Sequence, residues 1–378
     1  MLFRSVRCDY WFLGREAEHA IADPQNPFIT ADRRAQFYDD THSIFGRRAK
    51  IKFSPRVIVA HPISENSSFF FNYGQFTQNP SYKYVYSRLT SISSESYQLV
   101  GNPDLNPQVS VNYEVGAKHQ FLANAAANLT FFVKDVYDYP KSTLFSRGEA
   151  AVGETPTPIF FYLNGSFARA RGFEIEFEKR RSSYWAGKIT YTFQQIKGKD
   201  SDPNEQKVLQ ENGGNAAETR LSETFVDWNR PHKLAVNFDL RFDKGAPQQW
   251  LARTGLNVFI QGLTGRAFTP EDKLGNAKGD ENSGNAPFQM TADLKINRWF
   301  SLGERKLDLS LAGTNIFNNL IINRVDPITG RGREWGEGSY DPSVPDLRVT
   351  PRTRQEVVDD PSNYGPGAQW RLQLDYDF

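Results

Sequence analysis

From Trp370 to Phe378 the chain reads WRLQLDYDF. Trp370, Leu372, Leu374, Tyr376 and Phe378 share one parity, and Arg371, Gln373, Asp375 and Asp377 share the other. Successive side chains of a strand point to opposite faces, so this segment has one wholly apolar face and one wholly polar face. The same period of two recurs along the chain. Leu234, Val236, Phe238, Leu240 and Phe242 alternate with Lys233, Ala235, Asn237, Asp239 and Arg241. Phe173, Ile175 and Phe177 alternate with Glu174, Glu176 and Glu178, and Leu307, Leu309 and Leu311 with Lys306, Asp308 and Ser310. Such runs specify strands that separate two different environments. Sustained 3.6-residue periodicity is scarce, which leaves helix a minor component.

The alternating runs place strands at 47–62, 67–77, 107–121, 126–138, 159–179, 185–196, 229–242, 252–263, 287–299, 306–317 and 369–378, with a twelfth near Val6–Trp11. The connections alternate in length. Those at 63–66, 122–125, 180–184, 243–251 and 300–305 are short; those at 78–107, 139–158, 197–228, 264–286 and 318–369 are long. An up-and-down antiparallel sheet with every tight turn at one end and every large loop at the other fits this pattern. Several strands also exceed the ~5–6 residues usual in globular proteins and reach the ~9–11 needed to cross a bilayer.

Alternation by itself leaves two architectures open. In a soluble sandwich the apolar face meets a second sheet; in an outer-membrane barrel it meets lipid while the polar face lines the lumen. Strand length and loop asymmetry favour the barrel. So does the 14% aromatic content, with 29 Phe and 16 Tyr, because aromatics form the girdles at both lipid–water boundaries. Trp185, Trp250, Trp299 and Trp370 are the expected girdle positions. The net charge of +1 supplies no bulk field toward nucleic acid. The single cysteine, Cys8, excludes an intramolecular disulfide and a cysteine metal site. The start, MLFRSVRCDYWFLGREAEHA, is interrupted by Arg4, Arg7 and Asp9 and does not read as a signal peptide.

Four stretches carry a family resemblance. FSPRVIVAHPISENSSFFFNYGQFTQNPSY (Phe53–Tyr82), LVGNPDLNPQVSVNYEVGAKHQF (Leu99–Phe121), FYLNGSFARARGFEIEFEK (Phe161–Lys179) and LAGTNIFNN (Leu311–Asn319) resemble, in order, four strand motifs of TonB-dependent outer-membrane receptors. The terminal alternation through Trp370, Leu372, Leu374, Tyr376 and Phe378 resembles the signal read by the outer-membrane barrel assembly machinery. The stretch from Phe53 further resembles receptors with an N-terminal carboxypeptidase-like regulatory domain. The resemblance implies an all-β, up-and-down transmembrane barrel of about twenty-two strands, of which this chain supplies about half. We therefore expect residues 1–46 to form a partial strand and an extracellular loop, and 47–378 to form the C-terminal barrel strands. A signal peptide, a TonB-binding segment and a plug domain are expected to lie outside this sequence. Half a barrel leaves two open sheet edges.

What the resemblance implies for function is energy-coupled uptake of a scarce large solute such as a siderophore, cobalamin or a glycan. The implied partners are lipid and lipopolysaccharide, the plug domain, TonB and the assembly machinery; no enzyme activity, cofactor or nucleic acid is implied. A passive porin-like barrel and a soluble β-sandwich binding module are the alternatives. No residue pattern points to catalysis. His19, His42, His61, His119 and His232 are scattered, with His232, beside Pro231 at a strand entry, suited to a turn or a girdle. Gly213-Gly214 lacks the Lys and Thr of a phosphate loop. Glu174, Glu176 and Glu178 share one face and read as a hydrated lumen wall. The oxygen-rich loop Asp272–Asn285 lacks EF-hand spacing. The best candidates for ligand contact are Arg331, Arg333, Trp335, Tyr340 and Arg348, because guanidinium groups beside aromatic rings suit an anionic or ring-bearing solute.

Overall fold

A computed structural model describes residues 2–26, 29–87, 98–146, 158–211, 223–246, 248–272, 276–303, 305–332 and 361–377. Twelve strands form one continuous meander: β1 (Leu2–Phe12), β2 (Arg47–Ser64), β3 (Ser67–Gln78), β4 (Gln108–Leu122), β5 (Ala125–Ser146), β6 (Pro158–Ser182), β7 (Trp185–Gly198), β8 (His232–Arg241), β9 (Thr254–Leu263), β10 (Gln289–Leu302), β11 (Arg305–Thr314) and β12 (Gln369–Asp377). Each pairs antiparallel with the next, so sheet order equals chain order. Among the described residues, β1 and β12 are paired on one side only. Their outward residues are correspondingly bare: Leu2 is 63% exposed, Val6 67% and Leu372 71%. The sheet is a partial barrel.

Register carries the face assignment across the whole wall. Gln373 stands opposite Ser310, Ser310 opposite Asn297, and Asn257 opposite both Lys295 and Asp239. Lys188 stands opposite Asn237, Glu176 opposite Thr190 and Asn128, and Asn128 opposite Lys118. These define the inner, polar face. The other parity, through Leu372, Leu311, Ile296, Leu256, Ile189, Phe177 and Phe69, is apolar and faces outward.

The tight turns at 65–66, 123–124 and 183–184, the short step from β10 to β11 and the longer step from β8 to β9 all lie at one end. Ser183 takes φ 63°, the left-handed value that two-residue hairpins favour. The expected loop over 139–158 is much shorter: β5 runs on to Ser146 and β6 begins at Pro158. Pro140 does not end the strand because the ladder shifts register between Val136 and Pro140. Asp138, at φ 58°, absorbs that bulge, where a missing proline N–H costs no ladder bond.

A second expectation is also corrected. Trp299 belongs to the inner face, opposite Asp308, not to an outer girdle. Lys306, Arg253 and Lys244 lie over its ring at 5.5, 4.9 and 5.8 Å. Trp185 and Trp370 do lie on the outward parity. His232 does as well: its Nδ1 is 2.8 Å from the Tyr191 hydroxyl, within an aromatic row with Phe193.

Among the described residues, the buried apolar cluster does not extend into the membrane-crossing part of the wall. The buried apolar cluster lies at the loop end and joins Trp11, Leu13, Ile21, Phe37, Val85 and Phe161. It packs three short helices, α1 (Arg15–Ala22), α2 (Ala31–Asp40) and α3 (Tyr82–Tyr86), onto the upper strands.

On the outer face of β6, Lys179 and Arg171 mark the ends of an uncharged stretch, eight residues apart. At ~3.3 Å per residue and a tilt of ~40°, they are about 20 Å apart along the membrane normal, close to the height of a lipid-facing apolar band. Ile175 sits midway. Substituting Ile175→Arg is expected to cost about 2–4 kcal/mol of folding free energy, and Phe238→Arg, near the turn end beside Trp185, about 0–1 kcal/mol. Equilibrium unfolding in lipid bilayers measures both; equal costs at the two sites would contradict this placement of the band.

Candidate functional site

The upper part of β6 rises above the top of β7, whose pairing ends at Gly198 opposite Ala168. The β6 edge left free is taken by a short strand, Gln98–Val100, running parallel to Ile159–Phe161. The described part of the β3–β4 connection thereby reaches across from β2 to the far edge of β6. The segment GNPDLNP that follows fixes it there. Gly101 is confined: a Cβ would lie 2.6 Å from the Val85 carbonyl oxygen. Asn102 donates to the Tyr162 carbonyl at 2.9 Å, and its Oδ1 accepts the Asp104 N–H at 2.8 Å. Asn106 and Asn164 exchange bonds, with the Asn106 N–H donating to Asn164 Oδ1 at 2.7 Å and Asn164 Nδ2 donating to the Asn106 carbonyl at 3.0 Å. Leu105 is fully buried between them.

Beneath this segment lies a buried ion pair. Lys50 sits fourteen residues up β2 from Ser64, well above the lipid band, and its side chain is only 1% exposed. Its Nζ donates to Asp104 Oδ1 at 2.8 Å, to the Asp104 carbonyl at 2.6 Å and to Asn106 Oδ1 at 3.2 Å. All three ammonium protons therefore have acceptors, which an interior lysine requires. Burial pushes the Lys50 ammonium below its usual range and the Asp104 carboxyl above its own, while each charge counters the shift of the other. Arg33 of α2 completes the assembly, its guanidinium 4.1 Å over the Phe161 ring and 4.8 Å over Phe145. The β1–β2 and β3–β4 loops thus form one ledge, hung from the inner faces of β2 and β6. On its neighbouring side the Tyr162 hydroxyl donates to Asn204 Oδ1 at 2.6 Å and its ring meets Tyr84 at 4.8 Å.

Below the ledge the inner wall is a ladder of polar side chains. Glu114 accepts from Asn72 at 3.0 Å, Glu174 from Thr192 at 3.1 Å, and Glu176 pairs with Lys188 at 2.8 Å. Near the turn end a polar cavity of about 380 Å³ is lined by Asp239, Arg241, Lys295, Trp299, Lys306 and Asp308 among others. The arrangement offers binding and passage: a water-compatible inner surface under a fixed cover.

A family model for the TonB dependent receptor-like β-barrel matches residues 32–318, about three quarters of the sequence. The chain belongs to that family. It is thus built on the plan of transport receptors of the bacterial outer membrane. Solved structures agree on the fold. The outer membrane transporter YddB from Escherichia coli superposes with a TM-score of 0.56 at 14% identity, over 74% of this chain and 38% of that one. The ferric enterobactin receptor PfeA from Pseudomonas aeruginosa gives 0.55 at 14% identity, over 87% and 40%. FpvA of P. aeruginosa, solved with a heterologous pyoverdine and iron, gives 0.50 at 13% identity, over 86% and 33%. The chain therefore spans well under half the length of these receptors. No curated protein sequence matches it.

Of the receptor's expected contact residues, Arg333, Trp335, Tyr340 and Arg348 lie outside the described residues. Arg331 is placed at a turn, where its carbonyl accepts the Asp326 N–H at 2.9 Å. Trp370, Leu372, Leu374 and Tyr376 align on the outward face of β12; Phe378 lies outside the described residues. The oxygen-rich loop shows Asp272 accepting twice from Asn276, at 2.9 and 3.0 Å. Among the described residues no group of three or more His, Cys, Asp or Glu is placed to hold a metal ion. Sequence reasoning missed Lys50, Asp104 and Asn164. The repeated Asn and Pro of GNPDLNP was the available signal for a rigid turn, but Lys50 sits in an ordinary alternating strand and carries none.

Asp104→Ala leaves the Lys50 ammonium buried without a counter-ion, which is expected to cost about 3–5 kcal/mol and to release the ledge. The double substitution Lys50→Met with Asp104→Leu is expected to recover most of that loss. Hydrogen exchange across α1–α3 reports both; full protection in Asp104→Ala would show that the pair does not hold the ledge.

Proposed function

We propose that this chain is the C-terminal wall, residues 47–378 with the loop-bearing segment 1–46, of a receptor that takes up a scarce large solute by TonB-dependent, energy-coupled transport. The observation that supports this most directly is the ledge. A passive channel gains from an open mouth, whereas here two loops are joined in one ledge and locked by a buried ion pair and paired asparagines. Such a cover suits a binding site that admits one kind of solute and releases it only when energy is supplied. The similar structures YddB, PfeA and FpvA are an outer membrane transporter, a ferric enterobactin receptor and a receptor solved with ferric pyoverdine. A metal–siderophore complex is accordingly the first solute class to try. The polar inner wall and the charged cavity near the turns would pack a plug domain contributed by another part of the receptor. Further strands would pair the open edges of β1 and β12, since unpaired edges in lipid leave backbone groups unsatisfied.

The test compares solute uptake by cells carrying the complete receptor, with and without TonB, under iron limitation. Binding at the cell surface is expected in both strains and accumulation only where TonB is present. Equal accumulation without TonB would identify a passive channel instead.

A further inference from the structure

We propose that a niche at the head of β5–β7, formed by Tyr139, Ser166 and Asp200, binds a primary ammonium group carried by the transported solute. The proposal rests on the transport reading and adds to it the chemical class of the solute.

Register sets the three residues side by side. Tyr139 stands opposite Ser166 on β6. On the other edge of β6, Gly198 stands opposite Ala168, and the Lys199 N–H donates to the Phe167 carbonyl at 3.1 Å. The ladder therefore runs on past the end of β7 and brings Asp200 level with Ser166. Residues so paired lie about 5 Å apart. Ser166 shares the parity of Glu174 and Glu176, so the row faces inward. The turn after Asp200 is tied over the same face: the Ser142 N–H donates to the Pro203 carbonyl at 2.6 Å, and the Tyr162 hydroxyl to Asn204 Oδ1.

Two members of the row are enclosed without partners. Ser166 is 3% exposed and Asp200 6%, and neither Ser166 Oγ nor Asp200 Oδ2 has a hydrogen-bond partner. Buried polar groups are nearly always paired, and a buried carboxylate left alone is the costliest exception. The cations nearby are turned to other groups. Lys199 has the opposite parity, with its ammonium 5.9 Å over the Phe167 ring. Arg266 is near enough to Asp227 to act on that carboxyl, and Lys50 is paired with Asp104. The Tyr139 hydroxyl is half-buried; burial, and then Tyr84, Asp202, Asp227 and Asp200, push it up to about 12. The phenol therefore stays neutral, and the charge of the niche is negative.

An ammonium answers this set of oxygens. It has three N–H donors to place, and the row offers Asp200 Oδ2, Ser166 Oγ and the Tyr139 hydroxyl. Lys50 finds the same number on Asp104 and Asn106. A quaternary ammonium has no N–H to give. A metal ion would call for converging carboxylate or imidazole groups, and among the described residues no three of them converge.

The complete receptor in mild detergent would be titrated with hexylammonium chloride and followed by saturation-transfer NMR, with hexyltrimethylammonium and hexan-1-ol as comparators. Hexylammonium is expected to bind at one saturable site, and both comparators at least ~tenfold more weakly. Asp200→Asn keeps the shape and removes the charge; it is expected to weaken hexylammonium roughly tenfold to a hundredfold. Ser166→Ala is expected to weaken it a few-fold. Heat-modifiable migration on gels verifies the fold of both variants. In cells, hexylammonium is expected to inhibit TonB-dependent uptake. The proposal is overturned if the native receptor binds hexylammonium no better than hexan-1-ol, the result when a lysine from another part of the receptor fills the niche. It is also overturned if the quaternary ion binds equally, if Asp200→Asn binds as the native receptor does, or if bound hexylammonium leaves uptake unchanged. Accumulation that persists without TonB overturns the transport reading instead, and the NMR titration is independent of it.

Discussion

Hydrocarbon offers backbone N–H and C=O groups no partner, so a strand that crosses it must be paired on both sides. The rest of this structure depends on that requirement. It explains why sheet order equals chain order over twelve strands: a meander pairs each strand as soon as the chain returns. Strict period-two alternation follows as well, since the two faces of one strand meet lipid and water. Among the described residues the edges of β1 and β12 are paired on one side only.

A wall one strand thick cannot bury its own apolar residues, so the hydrophobic term that builds a globular core is spent on lipid contact instead. The core that does exist is displaced into the loops, where Trp11, Ile21, Phe37, Val85 and Phe161 meet in water above the membrane. Helices there are short and would not persist alone. Their position is set by the strands they cap and by Lys50 below them. A buried ion pair is a weak source of net stability but a strong source of register. One lysine with three acceptors on the β3–β4 loop fixes where that loop lies.

Most of the wall was legible in the residues. Alternation gave strand positions to within a few residues, and loop asymmetry gave the polarity of the sheet. Two readings failed. The strand placed at 126–138 stopped short, because a bulge at Asp138 carries the pairing on past Pro140. Trp299 looked like a girdle residue, yet its place opposite Asp308 turns it inward among three cations. The ledge was far less legible. Its parts lie 54 positions apart at Lys50 and Asp104 and 58 apart at Asn106 and Asn164, and local pattern does not encode such contacts.

β6 shows how one strand can meet several demands. Its 25 residues far exceed what a crossing needs. The lowest third, through Phe173, Ile175 and Phe177, carries lipid on one face and the Glu174, Glu176 and Glu178 wall on the other. Arg171 and Arg169 end the apolar band on the outer face. Above Ala168 the β7 neighbour is gone, and the edge it leaves is the one the β3–β4 loop occupies through Gln98–Val100. The inward residues Tyr162 and Asn164 then hold that loop by backbone and side-chain bonds. Extra strand length is therefore what brings the loop to the mouth. A β6 that stopped level with β7 would still cross the membrane, but it would leave the ledge without an edge to pair on.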